Sequence, residues 1–454
     1  MFVFDGYDHY LTASDAGLPT GNGTCTIALA FASTSTVGVT ADILFSYGTT
    51  EYRRIALNNS GKVYAIGPGG SIGTTGTYLD GAVHGVVVRV AQGAGDVAAW
   101  QLFVDGAAVG SGQGFPTATA LSGSLNIGNS QYGLFLGDQV GQVAIWGSDL
   151  EYSVGLGTCA ALSATLQAGG AVPNSLLSGT SPLGYWPGTP TNGVAFDPSV
   201  DASGNGRTLS YSAGTAIPCN ITLPACTATI TCVGAGGTGI SGTSSTGGRG
   251  SGGGAFSQNQ SPLSLPAGTY TFQVGLGGGV QGQPGSEGSG DTFFDSDITG
   301  ATPPAYDVYA SAGYATSSAN FGSTDYGNAS LPYNGGPHGG TGSASGGGGG
   351  GGASQNAGNS ATNGANASGA TGGAGGSGSG AGGHGATYVS ASSGSDSGTQ
   401  AGAWPGGAGG GGRKGTSGAY LAGGAGANGA ITIAWTPNIT FLPTWAQQVN
   451  QMAG

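Results

Sequence analysis

The chain has 454 residues, with 8 Lys or Arg against 20 Asp or Glu, for a formal net charge of −12. That balance leaves no basic patch to neutralise phosphates, so neither nucleic acid nor insertion into a membrane is expected, and no run reaches the ~18 apolar residues of a span. Glycine supplies 101 residues, nearly two thirds of them after Cys232, which divides the chain into two regions of different kinds.

The opening "MFVFDGYDHY" lacks the basic start and apolar run of a signal peptide. The five cysteines, Cys25, Cys159, Cys219, Cys226 and Cys232, show no metal-ligand spacing and read as free, buried thiols made in a reducing cytoplasm. An acidic, glycine-rich chain of this kind fits a particle assembled inside a cell and released by lysis. It is expected to be made in the host cytoplasm and carried on a virion surface.

From Met1 to about Ala168 the periodicity is two. "TCTIALAFAS" alternates. "YRRIALNNSGKVYAIG" reads as a hairpin turning at Asn58–Gly61, and "GVVVRVAQGAGDVAAWQLFVDGAAVG" as a second, closed by Asp105–Gly106. Short strands with regular turn signals predict a β-sandwich. Four blocks, "FDGYDHYLTAS" (4–14), "WQLFVDGAAVG" (100–110), "LNIGNS" (125–130) and "FLGDQVGQVAIWGSDL" (135–150), fall in an order that resembles the laminin-G-like, concanavalin A-like jelly roll. "LGYWPGTPTNGVAFDPSVDASGNGRTLS" (183–210) looks like a Y-W-P … D-x-S-G-N-G segment found beside such domains, usually ahead of them.

That resemblance implies binding of glycans or proteins through rim loops, with calcium in some members. Asp5, Asp8 and Asp138 are the carboxylates near the motifs, and they read as turn-formers beside glycine rather than as a calcium site. No metal or other cofactor is expected. Glu51, Glu151 and Glu287, the only glutamates, lie far apart, and His9, His84, His338 and His384 sit in unrelated contexts. Glycanase chemistry needs two carboxylates at a fixed separation, so no enzyme is expected.

After Pro218, Thr227–Val233 alternates as a strand and stops in glycine. "LSLPAGTYTFQVGLGGG" (263–279) reads as a strand pair turning at Pro266–Gly268, and "ANGAITIAWTP" (427–437) as a further strand. Residues 226–437 resemble the glycine-rich domain of bacteriophage tail-fibre and related virion proteins. Within "GATGGAGGSGSGAGGHG" (369–385), Gly369, Gly372, Gly375 and Gly378 recur every third residue. Glycine at that interval gives polyproline-II strands a bare ridge, so neighbours can approach and trade backbone contacts; a disordered Gly/Ser linker is the alternative.

Tyr306, Tyr309, Tyr314, Tyr326 and Tyr333 are interleaved with Ser, Gly, Asn and Asp, and Trp404 stands in "GAWPGGAGGGG". This composition suits a loop-built ligand-binding surface, expected at one end of the glycine-rich domain, and equally suits rings filling a small core.

The expected fold is all-β. Residues 1–217 form a jelly-roll sandwich that folds alone. Residues 218–437 form a glycine-rich domain of β-strands framing polyproline-II-like strands, and 438–454 is a tail available for docking. The expected function is a non-enzymatic fibre, adhesin or head-decoration component of a bacterial virus touching host surface glycan. Its partners would be other virion proteins and copies of itself, as a trimer for example. The alternatives are a purely structural capsid or tail protein and, behind it, a glycan-cleaving spike.

Overall fold

The computed structural model describes residues 1–4, 10–19, 23–34, 41–48, 53–67, 70–92, 98–115, 123–129, 136–211, 216–239, 251–259, 261–278, 290–295, 308–313, 377, 401, 403–407, 409 and 423–438. The first half supplies β1 (Phe2–Val3), β2 (Leu11–Ser14), β3 (Cys25–Ala32), β4 (Ala41–Tyr47), β5 (Arg53–Asn58), β6 (Val63–Gly67) and β7 (Gly70–Gly73). It continues with β8 (Val83–Gln92), β9 (Ala98–Val104), β10 (Ala107–Phe115), β11 (Ser124–Ile127) and β12 (Gln139–Trp146). Three helices follow, α1 (Leu150–Ser153), α2 (Thr158–Gln167) and α3 (Asn174–Gly179), then β13 (Gly184–Trp186) and β14 (Ser210–Tyr211).

These strands form the expected two-sheet antiparallel sandwich. One sheet runs β14-β2-β11-β4-β5-β6-β7, and the other contains β10-β9-β8-β3-β12-β1. Both predicted hairpins are present: β5 pairs β6, and β9 pairs β10 with Val104 opposite Ala107. Asp105 (φ 52°) and Gly106 (φ 84°) both take left-handed backbone, as the two central residues of a tight right-twisting hairpin require.

Alternation predicts one buried face for β3, yet all eight of its residues are buried. The reason is α2, which the period-two reading overlooks. Cys159, Leu162 and Leu166 pack with Ala28 and Ala30 of β3 and Val87 of β8. The helix rests so closely on β8 that a Cβ on Gly85 would fall under 3.0 Å from Ser163 O. Its first turn is capped by Glu151, whose carboxylate accepts from Gly157 N (2.7 Å) and Cys159 N (2.8 Å), the favourable end of the helix dipole for a negative charge.

The second half supplies β15 (Cys219–Leu223), β16 (Cys226–Val233), β17 (Phe256–Gln258), β18 (Leu263–Leu265), β19 (Gly268–Gln273), β20 (Thr292–Asp295), β21 (Val308–Ala310) and β22 (Ala430–Pro437). β16 and β22 match the predicted strands. β18 and β19 exist but do not pair with each other. β18 joins β16, while β19 joins β15 and β20, so Pro266–Ala267 is a crossing between sheets rather than a hairpin turn.

Past Val233 the backbone changes character. Gly234 and Gly237 N–H donate to Ala255 and Gly252 O (2.8 and 3.1 Å), and Gly236 and Gly239 N–H donate to Ala427 and Gly424 O (both 2.9 Å). Ala235 N–H turns to a third segment, at Gly290 O (3.0 Å). The carbonyls of Ala235, Gly236 and Gly237 accept from Gly313, Gly278 and Gly409 (2.7, 2.8 and 3.0 Å), three further segments. A β-strand bonds in two directions; this segment bonds in six, and it returns to the same neighbour every third residue. That is the three-residue rhythm of polyproline II, held together only by its neighbours.

Glycine is required there for space. A Cβ on Gly234, Gly254, Gly313, Gly423, Gly426 or Gly429 would fall under 3.0 Å from a neighbouring backbone carbonyl. Positions 423, 426 and 429 repeat every third residue, the predicted pattern in a different stretch. The run at 369–385 itself lies outside the described residues except Ser377.

The two halves are not separate bodies. β1 pairs β12 on one side and β15 on the other, so the sandwich sheet continues through β15-β19-β20-β21 into the glycine bundle. One hydrophobic cluster spans Phe2 and Phe31 through Phe196 to Phe272, Phe294 and Ile433. The 183–210 segment bridges both halves. Trp186 is fully buried and donates to Arg207 O, while Phe196 exchanges backbone hydrogen bonds with Ile431. Asn428 donates to Asp197 and Ser199 (both 3.0 Å), and burial pushes the Asp197 carboxyl up. These shared contacts run against the expectation that 1–217 folds alone.

Gly254→Ala and Gly426→Ala should each cost several kcal/mol, while Gly179→Ala, with open space at its Cβ, should stay within about 1 kcal/mol in denaturant melts. Equal stability of all three would show that the close approaches do not exist. A fragment ending at Ile217 leaves one edge of β1 unpaired and Phe196 without Phe272. It should melt far below the full chain or aggregate, and calorimetry of both proteins decides this.

Candidate recognition surface

Of the six aromatic residues expected to bind ligand, two are described. Tyr309 is the middle of β21, opposite Phe293, and is 5% exposed. It belongs to the core, and the expectation of an exposed contact is corrected there. The physical reason is its neighbourhood: a three-residue strand between Phe293 and the glycine segments buries whatever it carries. Trp404 is 44% exposed, and its indole N–H donates to Gly429 O (3.0 Å). It stands where the 403–409 segment begins, near Asn428, whose carbonyl accepts from Gly406 N–H (2.7 Å). Tyr306, Tyr314, Tyr326 and Tyr333 lie outside the described residues.

The strand at Tyr309 changes the geometry of the stretch. The chain runs from Val308, opposite Phe294, to Gly313, bonded to Ala235, a transit of roughly 16 Å at ~3.1 Å per residue. The tyrosine-rich segment is therefore divided by a pass through the bundle and is not one continuous loop. Several passes lie side by side there: Gly278, Gly313 and Gly409 bond to residues 235–237, and Gly239 itself bonds to Gly424. Trp404, bonded to Gly429, sits at the end of the bundle next to β22.

The remaining candidates have structural partners. Asp138 accepts from Ser33 Oγ (2.5 Å) and Thr34 N (3.4 Å), which ties two loops; Asp5 and Asp8 are outside the described residues. Among the described residues no three His, Cys, Asp or Glu side chains come together as metal ligands. Glu151 is the helix cap above, and Glu51 and Glu287 are outside the described residues. His84 is buried with Nδ1 2.8 Å from Asp105 and Nε2 2.9 Å from Asp80, so both ring nitrogens are occupied. The other three histidines are not described.

All five cysteines are free and buried, as expected. Burial pushes the Cys219 thiol up to about 12 and Cys232 higher still, which suppresses the thiolate. One cluster had no sequence signal. Arg53 is buried, with Nη1 against Cys25 Sγ (2.6 Å) and Tyr47 OH (3.0 Å), and its guanidinium lies 5.8 Å from the Tyr47 and Trp100 rings. Nothing in "EYRRIALN" distinguishes this arginine from a solvated one on an alternating strand.

No family model matches the chain, and no curated protein matches it. Among solved structures it is similar to the native heptameric SAP-like pentraxin from Limulus polyphemus, at 13% identity over 38% of this chain and 83% of that one, TM-score 0.27. It is also similar to the Ruminococcus gnavus IT-sialidase CBM40 bound to α2,6 sialyllactose, at 12% identity over 36% and 95%, TM-score 0.27. Domains LG4-5 of the mouse laminin α1 chain align at 11% identity over 73% and 88%, TM-score 0.27.

Tyr309→Ala should cost about 3–5 kcal/mol, as other large aromatic deletions in cores do. Trp404→Ala, half in solvent, should cost about 1 kcal/mol, mostly its hydrogen bond. Urea unfolding of both variants checks the contrast, and a neutral Tyr309→Ala would return that ring to the surface.

Proposed function

We propose that this chain is a non-enzymatic surface component of a bacterial virus, a fibre, adhesin or head-decoration protein that contacts host surface glycan. The observation that carries the reading is the glycine bundle built on a sheet continuous with the sandwich. A body bonded on all sides in this way is rigid, which lowers the ordering cost of binding compared with a flexible stalk. The net charge of −12 favours a neutral glycan over an anionic one. The sandwich half has the two-sheet architecture in which rim loops serve as contact surfaces.

Fluorescently labelled full-length protein should adsorb to cells of a susceptible bacterial strain and lose that adsorption after periodate oxidation of the surface glycan. It should release no reducing sugar from the same cells. Failure to adsorb across susceptible strains, with retention in purified particles, favours the purely structural alternative. Sugar release favours a glycan-cleaving spike.

A further inference from the structure

A cleft of about 370 Å³ lies where the two halves meet, on the outer face of the shared sheet beyond the end of α2. Its volume is in the ~300–1,000 Å³ range of small-ligand sites. The sequence pattern does not mark it, because its walls come from Met1, β3, β8, β12, α2, β15, β19, β22 and the segment after β13.

The chemistry of the walls is selective. No charged side chain lines the cleft. Gln139, Thr189, Asn220, Thr222, Thr269 and Trp435 do line it. Asn220 Oδ1 accepts from Thr271 (3.1 Å), and Thr222 and Thr269 bond each other (3.0 Å), which leaves the Asn220 amide N–H groups without a protein partner. Among the described residues, the Gln139 amide, the Thr189 hydroxyl and the Trp435 indole N–H also have none. All four side chains are half-buried. Their polar atoms reach solvent, so a ligand can meet them without first breaking a bond within the protein.

Trp435 is also held in place. Its backbone N–H donates to Asn192 Oδ1, and its carbonyl accepts from Asn192 Nδ2 (both 2.9 Å), so the side-chain amide of Asn192 closes this part of the strand edge. Trp435 lines a second, more open hollow of about 420 Å³, together with threonines of β16 and β22. An indole between two hydroxyl-lined hollows offers an apolar face and a donor to a ligand longer than one ring.

We infer that this junction cleft binds a neutral oligosaccharide, with Trp435 as the platform and Gln139, Thr189 and Asn220 meeting its hydroxyls. An apolar ligand would leave those amides and hydroxyls unmatched, and an acidic one finds no charged side chain in the walls, where the α-amino group of Met1 is already bonded to Asn220 O. The inference rests on the glycan-binding reading above, but it places a contact at the junction of the two halves.

The test uses full-length protein labelled with ¹⁵N-tryptophan. The Trp435 indole signal is assigned by its loss in Trp435→Phe, and maltohexaose, cellohexaose, xylohexaose and hexagalacturonate are titrated separately. At least one neutral oligomer should move that signal, and hexagalacturonate should not. Gln139→Ala should weaken binding about threefold to tenfold, the worth of one neutral hydrogen bond, and Thr222→Arg should weaken it at least as much. Both variants should melt with the wild type, since neither side chain is part of the core. An unmoved Trp435 signal with all three neutral oligomers overturns the inference, as does an affinity unchanged in both variants or a response to hexagalacturonate alone. If cells are still bound while the Trp435 signal is silent, the junction site fails and the adhesin reading stands. A responsive Trp435 without cell adsorption gives the reverse.

Discussion

The rest of this structure depends on a backbone segment that must be surrounded on all sides. Residues 234–239 spend N–H groups in three directions and receive N–H groups from three others. Polyproline-II strands satisfy none of their own hydrogen bonds, so a lone strand gains nothing to offset glycine's large conformational entropy. Stability appears only when the neighbours are already in place. Close approach then adds many weak Cα–H···O contacts, but it excludes side chains wherever a carbonyl faces the Cα, as at Gly426 and Gly254.

A structure that needs its neighbours in advance needs a frame to deliver them. β16, β17, β19, β20, β21 and β22 do this: most run directly into or out of a bundle segment, so ordinary ladder pairing sets the register before the glycines begin. The sandwich then anchors the frame through β1, and the 183–210 segment locks the two together. Asn428 shows how tight the linkage is. Its side chain bonds Asp197 and Ser199 on one side and accepts from Gly277 N–H on the other, so one residue connects the sandwich-side segment to two glycine passes.

Much of this was legible. Asp105–Gly106 announces its hairpin because few residues tolerate two consecutive left-handed conformations. A three-residue glycine interval marks bare ridges at 423, 426 and 429, while the glycines at 369–378 that carry it in the sequence lie outside the described residues. The errors have physical causes too. "TCAALSATLQ" was absorbed into a period-two reading, although its Ala and Leu content suits a helix, and the capping carboxylate of Glu151 sits well upstream of the first turn. Pro266–Gly268 has turn chemistry, yet tertiary pairing sends β18 and β19 to different sheets; there Tyr270 donates to Pro266 O and braces the crossing. Local signals specify that the chain turns, and the partner of each strand is decided by where the large apolar residues find cover. Tyr309 is the same lesson for the site: composition places tyrosines in a recognition class, while burial depends on strand partners that only the fold supplies.

The junction follows from the same constraint. The sheet runs on through β15 and β19 as an ordinary antiparallel ladder, so what differs across the junction is the layer packed against each face. On the inner face that layer is filled by Phe196, Phe272 and Ile221. On the outer face it is left open and lined by short polar side chains, where Thr222 and Thr269 pair across strands in place of larger residues. A sheet designed only for stability would cover that face, as α2 covers β3 and β8 a few strands away. The helix stops at Gln167, before the strands that belong to both halves, so the uncovered area coincides with the change of architecture. Fusing two rigid bodies through one sheet thus generates a concave, uncharged and partly unpaired surface, and its shape is fixed by the same contacts that hold the halves together.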